Sequence, residues 1–169
     1  MVIWLIGMSG AGKTCIGKAL YKKIKKKHIN SVFIDGDDIR NIMNQDLGYT
    51  TEDRKKNADR ICRLCKWLES QGIIVICSIL SIFHESQEWN RKNYSHYFEV
   101  FIDVPFEILK TRDNKNIYSM ALQGEIKNVV GVDIKFKPPQ EPDLVIKNDQ
   151  ELETFEQLAN EIIKNIKGL

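Results

Sequence analysis

The stretch Gly7-Met8-Ser9-Gly10-Ala11-Gly12-Lys13-Thr14 limits what this chain can become more than any other. It follows the apolar run Val2-Ile3-Trp4-Leu5-Ile6 and leads straight into Cys15-Ile16-Gly17-Lys18-Ala19-Leu20. Glycines at this spacing, between a buried strand and a helix, let backbone N–H groups close around a polyphosphate. The helix N-terminus adds unpaired donors and partial positive charge at the same place. Lys13 has the reach for the β- and γ-phosphates, and the Thr14 hydroxyl suits Mg²⁺. The expected cosubstrate is therefore a nucleoside triphosphate with its magnesium. Gly7, Ser9, Gly10, Ala11, Gly12, Lys13, Thr14 and Cys15 are expected to line its phosphates.

Downstream, apolar strand-like runs alternate with helical periodicity. Ser31–Ile34, Ile73–Cys77, Tyr97–Ile102 and Leu144–Ile146 read as strands. Helices are expected from Lys13 to about Lys27, through Ile39–Met43, from Thr50 to about Ser70, over Phe83–Asn93, from Pro105 through Arg112, and over Glu151–Lys167. Thr50 with Asp53 three residues on has the form of a capping box. Ala58, Ile61, Cys62, Cys65 and Leu68 form the buried stripe of that helix. Such alternation predicts a three-layer α/β/α domain of the phosphate-loop NTPase type. Its five-stranded sheet should be mostly or wholly parallel, with one domain over residues 1–169 and a weakly periodic lid at about 113–141. Ligands of such sheets sit at the carboxyl ends of the strands, where Asp35, Asp37, Ser81 and Asp103 fall.

A net charge of +2 gives no electrostatic reason to expect a nucleic-acid or membrane partner. The cluster Lys22-Lys23-Ile24-Lys25-Lys26-Lys27 reads as a solvated helix end complementing the dipole. Cys62-x-x-Cys65 lies mid-helix without a second metal-binding pair and reads as core packing. Trp4, Trp67 and Trp89 read as packing groups as well. Reduced thiols and the lack of a signal or spanning segment point to the cytoplasm.

A guanine-binding switch protein would carry Asn-Lys-x-Asp, and Asn114-Lys115-Asn116-Ile117 lacks the aspartate. A kinase needs a carboxylate near the acceptor hydroxyl or the metal. Asp35 is expected there, catalytically and as a Mg²⁺ partner with Thr14, with Asp37 orienting it. The same Asp-Gly-Asp turn would serve equally as a helix cap.

Several blocks beyond the loop carry a resemblance. Asp35-Gly36-Asp37-Asp38-Ile39-Arg40, Leu47 through Asn57, Val75-Ile76-Cys77, Asp103-Val104-Pro105, Arg112-Asp113 and Gly124 through Asn128 followed by Gly131 resemble the adenylylsulfate (APS) kinase family. The resemblance implies transfer of the ATP γ-phosphate to the ribose 3′-hydroxyl of a 5′-nucleotide with an anhydride tail. It implies acceptor contacts from Arg40, Tyr49, Arg54 and Asn57. Ser81 and Lys127 would stand near the transfer and Arg112 near ATP. A homodimer is implied too.

The departures cluster on the acceptor side. The family's Phe-Ile-Ser-Pro-Tyr-Arg is here Ile79-Leu80-Ser81-Ile82-Phe83-His84, and the phenylalanine that stacks on adenine is Val129. The lid's Tyr-Lys-Lys-Ala-Arg-Ala-Gly has become Tyr118-Ser119-Met120-Ala121-Leu122-Gln123-Gly124. One stacking partner is worth about 1–3 kcal/mol, so APS recognition should suffer. A pyrimidine needs less stacking surface, which suits Val129. The pattern resembles the cytidine diphosphoramidate kinase branch of bacterial capsule biosynthesis, with APS itself as the alternative acceptor. A non-catalytic nucleotide-binding module and a shikimate- or gluconate-type kinase are the competing classes. Intact Lys13, Thr14, Asp35 and Lys127 argue against the first, and the Leu47–Asn57 block against the second.

Overall fold

Apolar residues on both faces of β1 (Val2–Ile6) fix this strand at the centre of the sheet. The computed structural model describes residues 1–149 and 154–168. Four further strands, β2 (Ser31–Asp35), β3 (Ile74–Ile79), β4 (Tyr97–Asp103) and β5 (Leu144–Lys147), join it in the order β2-β3-β1-β4-β5. Every pairing is parallel, with Val2 opposite Val75 on one side and Tyr97 on the other. The expected all-parallel α/β sheet is thus present.

Strand alternation divides the core in two. Ile3 and Leu5 pack with Ile16, Leu20 and Ile24 of α1 (Lys13–Lys25) and with Leu158 and Ile162 of α7 (Phe155–Asn165). Val2, Trp4 and Ile6 face the other way, onto Ile61, Cys62 and Cys65 of α3 (Thr51–Ser70). Helices α2 (Gly36–Ile42), α4 (His84–Asn93), α5 (Phe106–Thr111) and α6 (Ile117–Leu122) complete the chain.

Helix starts follow the local chemistry. The Thr50 hydroxyl accepts from the Asp53 N–H and opens α3. A full capping box between Thr154 and Gln157 opens α7. The helix expected from Glu151 therefore begins at Phe155, and residues 151–153 lie outside the described ones. Helix α6 interrupts the lid, where periodicity gave no helix; Asp113 nucleates it by accepting from the N–H groups of Ile117 and Ser119.

The two vicinal cysteines pack in the core as expected: burial pushes the Cys62 thiol up to about 12, which removes the thiolate that redox or metal chemistry needs. Trp67 corrects its reading as a packing group. It is 60% exposed, because two residues beyond buried Cys65 a helix has turned to its opposite face.

Candidate active site

The phosphate loop turns sharply where Gly10 (φ 77°) and Gly12 (φ 89°) take left-handed backbone conformations. A Cβ on Gly12 would also stand 2.7 Å from Asn148 Nδ2. Helix α1 starts at Lys13, so its first N–H groups have no acceptor within the helix. Side chains from three other segments hold the loop's carbonyls from behind. Asn148 Nδ2 donates to the Ala11 carbonyl (2.9 Å), Tyr118 OH to Ser9 (2.8 Å) and Ser78 Oγ to Lys13 (3.1 Å). Carbonyls fixed behind and amides unpaired in front make an anion cradle.

Lys13 donates its ammonium to the Met8 carbonyl at 2.7 Å. Burial pulls its pKa down to about 8, against the opposing pull of Asp35 and Asp37. A partly desolvated cation with one neutral partner gains greatly from an arriving phosphate.

Asp35, at the end of β2, serves two partners at once. One carboxylate oxygen accepts from the Thr14 hydroxyl at 2.6 Å, and the other accepts from the Asp37 N–H at 2.9 Å. The second contact is the N-cap of α2. The helix-cap reading of the Asp-Gly-Asp turn is thus met by Asp35 itself. Thr14 and Asp35 offer two hard oxygen ligands side by side, a donor set that fits Mg²⁺. Cys15 is exposed beside them.

The expected acceptor residues gather around α3. Both guanidinium groups lie over the Tyr49 ring, Arg40 at 4.7 Å and Arg54 at 5.3 Å. Arg40 is buried and donates to the carbonyls of Leu47 and Gly48. Arg54 donates to the Tyr49 carbonyl and, across the cleft, to the Asn128 carbonyl at 2.8 Å. Burial, then the nearby charge of Arg40, lowers the Arg54 pKa. Two cations brought this close are stabilised by an anion between or beside them. Asn57 is only 4% exposed, and its Oδ1 has no partner. Asn57 therefore lies inside the protein and not on a solvated helix face.

Other expected residues sit apart from this cluster. Ser81 is buried, with Gln87 Nε2 at 3.5 Å from its hydroxyl. Val129 packs into the core and presents no open face to a nucleobase. Lys127 is exposed on the lid. Arg112 donates to the Asn148 carbonyl at 2.6 Å, and its own carbonyl lies beside Gly10. His84, standing where the family has arginine, contacts the Pro138 carbonyl at 2.9 Å.

The sequence model of the adenylylsulphate kinase family matches residues 1–147. The chain belongs to that family. A cytidine diphosphoramidate kinase from Campylobacter jejuni is 44% identical over 150 residues, covering 87% of this chain and 85% of that protein. An adenylyl-sulfate kinase from Halothermothrix orenii is 34% identical over 167 residues, covering 99% and 89%. The Mycobacterium tuberculosis APS kinase, solved with AMPPNP and APS, superposes with a TM-score of 0.88 at 31% identity, covering 97% and 95%. This adenylylsulphate kinase relative is accordingly a phosphotransferase acting on a hydroxyl group.

Sequence reasoning missed Ser78, Lys115, Tyr118 and Asn148. Asn148 follows the last strand at its carboxyl end, so the strand-end rule had the means to flag it. Lys115 and Tyr118 lie in the aperiodic lid, where no pattern marks a side chain as structural.

Proposed function

We propose that this kinase transfers the γ-phosphate of ATP to the ribose 3′-hydroxyl of a cytidine nucleotide whose diphosphate-like tail ends in a phosphoramidate. One observation carries the choice of acceptor: Val129, where an adenine-stacking ring would stand, is a buried core residue. The 44% relative named for that activity supports the reading, and the paired Arg40 and Arg54 suit an anionic tail. Exposed Tyr49 favours the second reading, APS as acceptor, since one aromatic face for an adenine is still offered.

The chemistry is positioning and electrostatics. The loop amides and Lys13 hold the donor phosphates. Asp35 orients the acceptor hydroxyl and takes its proton as the oxygen bonds to the γ-phosphorus. The bond from that phosphorus to the β-bridging oxygen breaks, and ADP leaves with the electron pair. Mg²⁺, held by Thr14 and Asp35, would supply charge neutralisation on the phosphates. Asn57 and the two arginines fix the acceptor, Ser81 and Lys127 stand near the transfer, and Arg112 stands near ATP. We place the reaction in the cytoplasm; among the described residues no helix is long and apolar enough to cross a membrane. A homodimer belongs to the same proposal, and sedimentation velocity tests it.

Labelled ATP offered with cytidine diphosphoramidate, CDP, APS and shikimate decides the acceptor. Phosphate should pass to the phosphoramidate nucleotide with the highest kcat/KM. Preference for APS would overturn the acceptor, and transfer to no nucleotide would overturn the reaction.

A further inference from the structure

Arg40 lies near a carboxylate with which it does not pair. That carboxylate is Asp46, in the irregular segment between α2 and α3. The residues before it, Asn44 (φ 55°) and Gln45 (φ 51°), are consecutive left-handed positions without a glycine. Both Asp46 oxygens accept from Arg60 on α3, Oδ1 from Nη1 at 3.0 Å and Oδ2 from Nη2 at 2.7 Å. Such a two-pronged contact fits the fork of a guanidinium to a carboxylate. The Arg60 hydrogen bonds and charge, with a smaller pull from Arg40, hold the Asp46 carboxyl below its usual range. Arg40 itself forms no ion pair among the described residues, and its Nη1 donates to the carbonyls of Leu47 and Gly48.

A carboxylate set free this close to Arg40 would neutralise the charge that an anionic acceptor tail needs. Arg60 occupies both of its oxygens instead. The pair is half open to water, so its own contribution to stability is small. Its geometry nevertheless matters, because two left-handed non-glycine residues persist only where surrounding contacts hold them. We propose that Arg60 is a positioning residue for the acceptor: it keeps Asp46 off Arg40 and so leaves that guanidinium free for the acceptor's phosphate. The proposal rests on the kinase reading above and adds no bond making or breaking to it. Arg60 lies one helical turn beyond Asn57, so α3, which also carries Arg54, both contacts the acceptor and restrains the carboxylate that competes with it.

Four variants test this: R60M, D46N, the double variant R60M/D46N and, as a control on the charge of α3, R63M. Thermal unfolding first establishes that each is folded. R60M should raise acceptor KM about tenfold, with kcat and ATP KM within about threefold. D46N and R63M should leave acceptor KM within about threefold of the unaltered enzyme. The double variant separates competition for Arg40 from mere support of the segment. With the carboxylate gone nothing competes, so acceptor KM should return to within about threefold of the unaltered value. A segment that needed the ion pair only for its shape would leave D46N and the double variant as impaired as R60M. That result overturns the proposal, as does R60M with unchanged acceptor KM or R63M behaving like R60M. Calorimetric titration of CDP and of APS into enzyme saturated with Mg·AMPPNP should give the same ranking without turnover. If the unaltered enzyme phosphorylates no nucleotide, the proposed reaction falls and these titrations alone decide Arg60. Binding of neither nucleotide to the unaltered enzyme would overturn the role of Arg60 as well.

Discussion

The donor and acceptor halves of this cleft are built to opposite standards. Around the phosphate loop every support is a short bond from a regular element or strand end: Ser78 from β3, Asn148 after β5, Tyr118 from α6. There is no slack for side chains either, since a Cβ on Gly7 would stand 2.8 Å from the Ile102 carbonyl. The acceptor side rests instead on the irregular segment 43–50, where Asn44 and Gln45 take left-handed backbone angles. Its cations hold backbone carbonyls and an exposed ring, partners a ligand can replace. A cradle for an invariant triphosphate tolerates rigid construction. The acceptor side, held by partners a ligand can replace, is made of parts that exchange.

K13M should break the donor half most severely. Turnover should fall on the order of 10³-fold, since the cation on the transferring phosphate is lost. The same change should raise the stability of the free protein at pH 7. Lys13 titrates near 8 when folded against 10.5 for the ordinary side chain, so holding it charged below pH 8 costs folding free energy. The gain should be on the order of 1–3 kcal/mol, read from chemical denaturation. Unchanged turnover would remove the phosphate assignment of the loop.

The acceptor half is probed best through Asn57. N57L removes a buried oxygen that has no partner in the free protein. Acceptor KM should rise by about 10²-fold while ATP KM holds, and stability should not fall. A loss of stability with no change in acceptor KM would make Asn57 a structural residue and blur the contrast between the halves.

Legibility in the sequence divides along the same line. The strand, loop and helix spelling of residues 2–20 marks the phosphate loop itself, because backbone geometry there admits few residue types, but not the supports Ser78, Tyr118 and Asn148 that hold it from other segments. Asp35 was found because it ends a strand. The periodicity of α3 placed Ala58, Ile61, Cys62 and Cys65 in the core correctly. The lid gave little: α6 is six residues long, too short for a periodic signal, and its anchors Asp113 and Tyr118 act through single hydrogen bonds. Val129 was read as lining the acceptor pocket, whereas packing against the core decides its position, a tertiary fact no local pattern records.

The pH profile sharpens the donor side further. For the free enzyme, kcat/KM for ATP should fall above about pH 8, tenfold per unit, as Lys13 loses its proton. The sign follows from the depressed pKa: the charged, phosphate-binding form prevails below it. K13R, which stays protonated, should abolish that limb in whatever activity it keeps. A limb unmoved by K13R would belong to another group.

N148A should have the smallest effect and the sharpest meaning. Asn148 touches no expected ligand atom; its amide holds the Ala11 carbonyl, and its own carbonyl accepts from Arg112. Truncation leaves a buried acceptor without its donor, a loss of about 1–3 kcal/mol. Part should appear as lower thermal stability and part as a rise of up to about tenfold in ATP KM, with acceptor KM unchanged. If the rigid donor cradle depends on these supports, kcat should fall together with ATP affinity, because a loosened loop misplaces the γ-phosphate as well as binding it less. A variant that loses stability yet keeps both constants would show that the loop holds its shape unaided, and the two halves would then differ in sequence but not in stiffness.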